Sequence, residues 1–337
     1  MIVHSERYAE HNQEFHPENS QRLKVVMNYL TKKDVFERVP LIEPTKASRD
    51  DILRVHTRDH YRMVEEASLS GREMLDADTY VNLKTFEVAH LTAGGVLTCV
   101  DSVLEDYEAS FALIRPPGHH ATADKAMGFC IFNNVAIGAA YAIKKHRVGR
   151  VAILDYDVHH GNGTQDIFYQ DPKVLYVSLH QSPFYPGTGS IEEIGEGKGA
   201  GYTINMPLPP TTGDGSYLKV LSEIAFPIIK QFDPQLIFVS SGYDSHHSDP
   251  LGGMNLTTMA YQGISQGLKE LGKKVVFTLE GGYNTSALSE SIYASISPFY
   301  DLPFEGEEPL EEDNRVSSYV ESKIVAAKNL FSNYWGF

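Results

Sequence analysis

Five stretches of the chain are apolar without polar alternation: Phe111-Ala-Leu-Ile, Val151-Ala-Ile-Leu, Val174-Leu-Tyr-Val-Ser-Leu, Leu236-Ile-Phe-Val-Ser and Val275-Val-Phe-Thr-Leu. Runs of this kind suit strands covered on both faces, as in a parallel sheet. Each leads into polar or glycine-rich sequence. Helical patterns lie between them at Asn133 to Lys145, Tyr217 to Gln231 and Thr257 to Leu271, the last opening on a threonine suited to capping. This alternation predicts a parallel sheet wrapped by helices. The first hundred residues read as mostly helical, with amphipathic stretches at Gln21 to Thr31 and Phe86 to Leu104 that pack on the sheet. Beyond Leu302 the sequence becomes an acidic loop, then a helical stretch from about Val316 to Phe331. The expectation is one α/β domain over residues 1–337, with a core over about 1–300 and the acidic loop and final helix over about 301–337, and with no internal repeat.

Composition narrows the function classes. A chain of 337 residues with 42% hydrophobic content can bury a large core. Its 44 acidic and 29 basic side chains give a formal charge of -15. That balance argues against direct binding to nucleic acid and makes a basic protein tail a better partner. Cys99 and Cys130 are too few for a disulfide framework and fit a reducing compartment. The first residues lack a basic segment followed by an apolar one, and the longest apolar run, Val135 to Ile143, is far too short to cross a bilayer. A cytoplasmic location without membrane contact is the expectation.

Candidate chemistry concentrates where the strands end. Val151-Ala-Ile-Leu runs directly into Asp155-Tyr-Asp-Val-His-His160. With a strand's period of two, Asp155, Asp157 and His159 project to one side, which offers three oxygen or nitrogen donors to a common site. Arg115-Pro-Pro-Gly-His-His120, Gly242-Tyr-Asp-Ser-His-His247 and Glu280-Gly-Gly-Tyr-Asn284 also follow predicted strands. Parallel strands would bring all four segments to one rim, where ligands bind in such sheets. Metal-assisted hydrolysis needs ligands, an open coordination position, a base for water and a donor for the developing oxyanion, and these segments hold every class.

Together with Asp155-Tyr-Asp-Val-His-His-Gly-Asn-Gly-Thr164, Pro186-Gly-Thr-Gly and Tyr243-Asp-Ser-His-His-Ser-Asp-Pro-Leu-Gly-Gly253, these motifs resemble the histone deacetylase family from about His16 to Asn284. The likeness is to the class II branch and its microbial relatives, which include acetylpolyamine amidohydrolases and acetoin-utilisation-type proteins. It implies the arginase-deacetylase fold: a single, mostly parallel sheet with helices on both faces and the active site at the C-terminal ends of the strands. It also implies amide hydrolysis by metal-activated water.

By that resemblance Asp157, His159 and Asp244 hold a catalytic zinc, with iron(II) or cobalt as competitors because two of the donors are oxygens. His119 and His120 match the paired imidazoles that manage protons, with their division of labour left open. Asp155 would orient His119. Asn162 stands where some relatives place an aspartate beside the second histidine, and this implies a less stable imidazolium at His120. Tyr283 matches the oxyanion donor, with Gly281 and Gly282 allowing loop movement or close approach. Phe129 and Tyr185 match the aromatic walls of an acyl-lysine channel, and Gly128 matches the carbonyl that accepts the substrate amide. Leu251 falls where polyamine-preferring relatives can carry a glutamate. Asp78 or Asp76 matches a rim aspartate that grips peptide backbone. Arg22 matches a residue lining an internal acetate exit. Structural potassium is implied at two places, one by Asp155, Asp157, His159, Leu179 and the Ser178 hydroxyl, the other by Phe168, Asp171, Val174 and Tyr202.

Plainer roles suit other residues. His4, His11, His56, His60, His90 and His146 read as hydrogen-bonded structural histidines, and His160, His180, His246 and His247 as structural or supporting groups. Cys130, close to the channel, reads as a small buried apolar side chain and not as a nucleophile. The resulting expectation is a zinc-dependent deacetylase acting on the ε-amino group of lysine in a protein or peptide. The alternatives are an acetylpolyamine or other small acylated-amine deacetylase, or a non-catalytic acyl-lysine binding protein. A two-metal manganese ureohydrolase would need more aspartate ligands than this chain offers. A homo-oligomer is compatible with the sequence.

Overall fold

The computed structural model describes residues 1–337. Eight strands form one sheet, in which every neighbouring pair is parallel: β1 (Ile2–Val3), β2 (Leu41–Ile42), β3 (Ala109–Ala112), β4 (Val151–Asp155), β5 (Val174–Gln181), β6 (Thr203–Leu208), β7 (Leu236–Ser241) and β8 (Lys274–Leu279). Their order is β2-β1-β3-β8-β7-β4-β5-β6. The five expected strands are all present, and their backbones are almost wholly buried.

Three strands lie outside the sequence reading and one is displaced from it. β1 and β2 are two residues each, too short to carry a pattern, and they make the mostly helical N-terminal region part of the sheet. β6, Thr203-Ile-Asn-Met-Pro-Leu, contains Pro207 and polar Asn205. A proline lacks the ladder N–H and is tolerated at an edge, which is where β6 lies. β3 begins and ends two residues earlier than expected, and Leu113 and Ile114 form the buried approach to Arg115.

The helices follow their caps. Asn133 accepts a hydrogen bond from Ala136 N to open Asn134–Lys145, and Thr257 accepts one from Met259 N to open Thr258–Glu270. The helix expected from Tyr217 to Gln231 is divided: Asp214–Val220 and Phe226–Phe232 flank a π-helical turn, Leu221–Ala225. Pro227 explains the widening, since it supplies no N–H and crowds the preceding turn. The final helix, Asn314–Phe331, buries Val320, Ile324, Ala327 and Phe331 in the same apolar cluster as the sheet. No helix is long and apolar enough to cross a membrane.

Candidate active site

Five adjacent strands, β3, β8, β7, β4 and β5, deliver the chemical groups to one end of the sheet. His119 and His120 follow β3, Tyr283 follows β8, Asp244 follows β7, Asp157 and His159 follow β4, and Tyr185 follows β5. They meet around a cavity of about 430 Å³ lined by Asp78, His119, His120, Gly128, Phe129, Asp157, His159, Phe184, Tyr185, Leu251 and Tyr283, among others.

Strand periodicity is not what gathers the residues after β4. The strand stops at Asp155, and the next residues turn. Carboxylates make that turn: Asp155 Oδ1 accepts from Asp157 N at 3.3 Å, and Asp157 Oδ1 accepts from His159 N at 2.9 Å. Asp244 Oδ1 accepts from Val158 N at 3.0 Å, which ties the β7 loop to the β4 loop. Asp157 Oδ2 accepts from Gly281 N at 2.9 Å, which adds the β8 loop. A Cβ at Gly281 would lie 2.0 Å from Asp244 Oδ2, so only glycine permits this approach.

The donor atoms of Asp157, His159 and Asp244 lie within 4.8 Å of one another. His159 Nδ1 faces two carboxylates, at 3.0 Å from Asp157 Oδ1 and 3.3 Å from Asp244 Oδ2. One proton on Nδ1 cannot serve both, and Asp244 Oδ2 is buried without a hydrogen-bond partner. Burial opposes charge on His159, yet the two carboxylates lift its pKa to about 10. Asp244 is pushed up to about 6, first by burial and then by Asp157. Two carboxylates and one imidazole that converge in this way call for a positive charge between them. A divalent cation fits that demand, and His plus two carboxylates is a zinc-type donor set.

The paired histidines differ in their support. His119 Nδ1 lies 3.1 Å from Asp155 Oδ2, and the same oxygen accepts from Tyr176 Oη at 3.0 Å. Although burial opposes it, Asp157 and Asp155 raise His119 to about 10. His120 Nδ1 lies 2.8 Å from Asn162 Oδ1. The Asn162 amide nitrogen faces His120 O at 3.4 Å, so its oxygen faces the ring and fixes the proton on Nδ1. That leaves the Nε2 lone pair of His120 free. Burial first, and then the charges of His119 and His159, hold the His120 pKa well below the usual imidazole range.

The walls are aromatic. Phe184 stacks on His159, with centroids 5.1 Å apart at 18°. Tyr185 stands edge-on to His120 at 5.1 Å, and Phe129 edge-on to Tyr283 at 5.8 Å. Phe129 has φ +68°, a conformation L side chains rarely adopt, and its N–H is held by Thr79 Oγ1 at 3.1 Å. The Gly128 carbonyl accepts from Cys130 Sγ at 3.3 Å. Burial pushes the Cys130 thiol well up, which keeps it protonated. Asp78 lines the cavity, whereas Asp76 is a turn residue whose Oδ1 accepts from Asp78 N and Thr79 N.

Glu280 and Asp249, passed over in the sequence, and Arg22, expected there only at an acetate exit, hold this arrangement in place. Glu280 Oε2 accepts from Gly118 N at 2.6 Å and His119 N at 3.1 Å, which anchors the turn that carries the histidine pair. Asp249 Oδ2 accepts from Tyr283 N at 2.6 Å and Asn284 N at 3.0 Å. Arg22 donates to Gly282 O at 2.7 Å and Glu280 O at 2.6 Å, and its guanidinium lies 4.9 Å from the Tyr283 ring centroid. Burial pushes the Tyr283 hydroxyl well up, so it remains a neutral donor. Glu280 and Asp249 sit inside recognisable motifs as carboxylates without an assigned task, the one signal that pointed to them. Phe184 had its signal in the adjacent aromatic Tyr185.

Residues assigned to cation sites or plainer roles are placed as follows. β4 and β5 pair Asp155 with Ser178, whose Oγ lies 2.9 Å from His180 Nδ1, and Leu179 O accepts from Tyr217 Oη at 3.2 Å. Phe168, Asp171, Val174 and Tyr202 gather where β5 begins: Phe168 O accepts from Asp171 N, Asp171 O from Val174 N and Tyr202 O from Tyr176 N. His4, His60 and His90 bond to backbone carbonyls, His56 accepts from Asn133 N, His11 meets Thr85, and His146 meets Asp101. His160 lies between Thr188 and Gln165.

Comparison with known proteins agrees with this geometry. A model of the histone deacetylase domain matches residues 16–298. The chain is 42% identical to a probable deacetylase of Archaeoglobus fulgidus, covering 99% of this chain and 98% of that one. It is 40% identical to a probable deacetylase of Methanothermobacter thermautotrophicus over the full length of both, and 42% identical to the chloroplastic histone deacetylase 14 of Arabidopsis thaliana over 84% of this chain and 72% of that one. The solved HD domain of HDA15 superposes with a TM-score of 0.92 at 33% identity, over 99% of this chain and 95% of that chain, consistent with the arginase-deacetylase fold. The chain therefore belongs to the histone deacetylase family, amide-hydrolysing deacetylases that are generally metal-dependent.

Proposed function

We propose that this protein removes acetyl or related acyl groups from the ε-amino group of lysine in proteins or peptides, with a divalent cation, zinc by its donor set, held by Asp157, His159 and Asp244. The observation that carries the reading is the shape and lining of the cavity. Phe129, Phe184 and Tyr185 wall a passage to the buried triad, and Leu251 contributes an apolar side chain where a second ammonium would want a carboxylate. Outside the triad, Asp78 is the one carboxylate among the lining residues. A bound cation would polarise the acyl carbonyl and acidify water.

The chain's own groups supply the rest. His120, neutral and with Nε2 unprotonated, takes a proton from the attacking water and returns it to the departing amine. His119, held through Nδ1 by Asp155, stands beside His120, and the neighbouring carboxylates favour its charged form. The Tyr283 hydroxyl donates to the developing oxyanion, with its loop fixed by Asp249 and Arg22. The aromatic walls exclude water along the alkyl stem of the substrate.

Substrate choice is tested by comparing an acetyl-lysine peptide with acetylputrescine, using the wild type and Leu251→Glu. The expected result is preference for the peptide in the wild type, with the ratio shifting toward the polyamine in the variant. A wild type that prefers acetylputrescine would assign it to the small-amine branch.

A further inference from the structure

A second convergence of ligand atoms lies outside the catalytic cavity. His246, His247 and Glu307 each bring one ligand atom to within 4.8 Å of the others. Glu307 comes from the acidic stretch after Leu302, and its two oxygens lie 2.8 Å from His246 Nε2 and 2.8 Å from His247 Nε2. The imidazole rings stand 4.5 Å apart at 30°. His246 is buried, while His247 and Glu307 are partly exposed, so solvent can reach one side of the cluster.

The groups around His246 fix its tautomer and hold its Nε2 edge against Glu307. The Ser248 hydroxyl lies 2.9 Å from His246 Nδ1, nearer than the Ser248 N–H at 3.3 Å. The backbone N–H can only donate, and the Ser248 hydroxyl itself accepts from Asn284 Nδ2 at 3.1 Å, so Nδ1 is an acceptor and His246 Nε2 carries the proton that Glu307 Oε1 accepts. A divalent cation would take the place of that proton, with the Nε2 atoms and the carboxylate as its ligands. Two imidazoles and a carboxylate form a three-ligand zinc set that leaves a position for water. The formal charge of -15, with Glu305, Glu308, Glu311 and Glu312 on the same stretch, raises the local concentration of cations.

We propose that His246, His247 and Glu307 form a second site for a zinc-class divalent cation, separate from the catalytic triad, which fastens the acidic stretch to the loop that carries Asp244 and Asp249. That loop matters to the chemistry: Asp249 N donates to His246 O at 2.9 Å, while the Asp249 carboxylate holds Tyr283 N and Asn284 N. Pro250 and Leu251, next along, line the catalytic cavity.

The test is an equilibrium titration of the metal-stripped full chain with Zn²⁺, counting bound ions per chain by elemental analysis. The wild type should bind two. His247→Ala and Glu307→Gln should each bind one, with the affinity of the lost site down at least ~10-fold, the lower bound for disturbing a metal site. Asp157→Ala should also bind one, and Asp157→Ala combined with Glu307→Gln none. Glu307→Gln keeps the side chain's size at a partly exposed position, so it reports on the ligand and not on folding. Identical stoichiometry in the wild type and Glu307→Gln, at either one ion or two, would overturn the proposal and leave the trio as an ion-pair latch.

Discussion

Two clusters of buried charge sit close together in this protein and are built on opposite plans. Around Glu18, every charge is answered. Arg115 donates to Glu18 Oε1 and Oε2 at 2.8 Å each, to Tyr80 Oη at 2.8 Å, and to the carbonyls of Tyr8 and His11, while Arg22 adds a contact at 3.3 Å. Burial opposes the Glu18 carboxylate, but Arg115 and Arg22 draw its pKa down to about 2. Around His159 the balance is deliberately incomplete: Asp244 is pushed up to about 6, and its Oδ2 has no hydrogen-bond partner. Equal burial thus yields a closed network that holds the structure and an open one that a cation would complete. Arg22 joins the two through Gly282 and Glu280.

The sharpest way to break the comparison is to remove a carboxylate from each cluster. Asp157→Ala should lower turnover by about 10⁴-fold or more, the scale for losing an essential member of a catalytic unit. Its melting temperature with chelator present should fall less than that of Glu18→Gln, because relief of the repulsion with Asp244 offsets part of the loss of the hydrogen bonds from His159 N and Gly281 N. Glu18→Gln should do the reverse: thermal or denaturant unfolding should show a loss of about 3–5 kcal/mol, since two arginines lose their buried partner. If both variants lost stability alike, the distinction between the clusters would fail.

Smaller changes sharpen the open cluster. Tyr283→Phe should cut kcat by about 10²- to 10³-fold with little change in KM, as expected for a donor engaged in the transition state. Asn162→Asp tests the neutrality of His120. A carboxylate at Nδ1 favours the imidazolium and raises the His120 pKa, so the neutral base is reached only at higher pH. The acidic limb of the kcat/KM profile should therefore move up by about 1 pH unit or more. A downward shift, or none, would remove His120 from the role of base.

Much of this arrangement was legible in the sequence because strand ends in a parallel sheet are predictable chemical addresses. The apolar runs at β4, β7 and β8 place Asp157, His159, Asp244 and Tyr283 at strand ends from the sequence alone. What escaped was carried by long-range geometry. β1 and β2 are too short to show periodicity, and Pro207 disguised an edge strand. The turn after β4 is set by carboxylates accepting backbone N–H groups and not by strand alternation. Glu280 and Asp249 act on amides 162 and 34 residues distant, which no local pattern encodes. His246 and His247 met their partner 61 and 60 residues along the chain, inside a stretch that read as a solvated acidic loop.

The central claim, a cation-dependent lysine deacylase, is tested most directly by acetate release from an acetyl-lysine peptide, with the purified protein stripped by chelator and then given back one equivalent of Zn²⁺. The account predicts that stripping abolishes release, that Zn²⁺ restores it, and that Asp244→Asn shows neither activity nor restoration. Release that survives complete stripping, or an Asp244→Asn variant that works as well as the wild type, would contradict it.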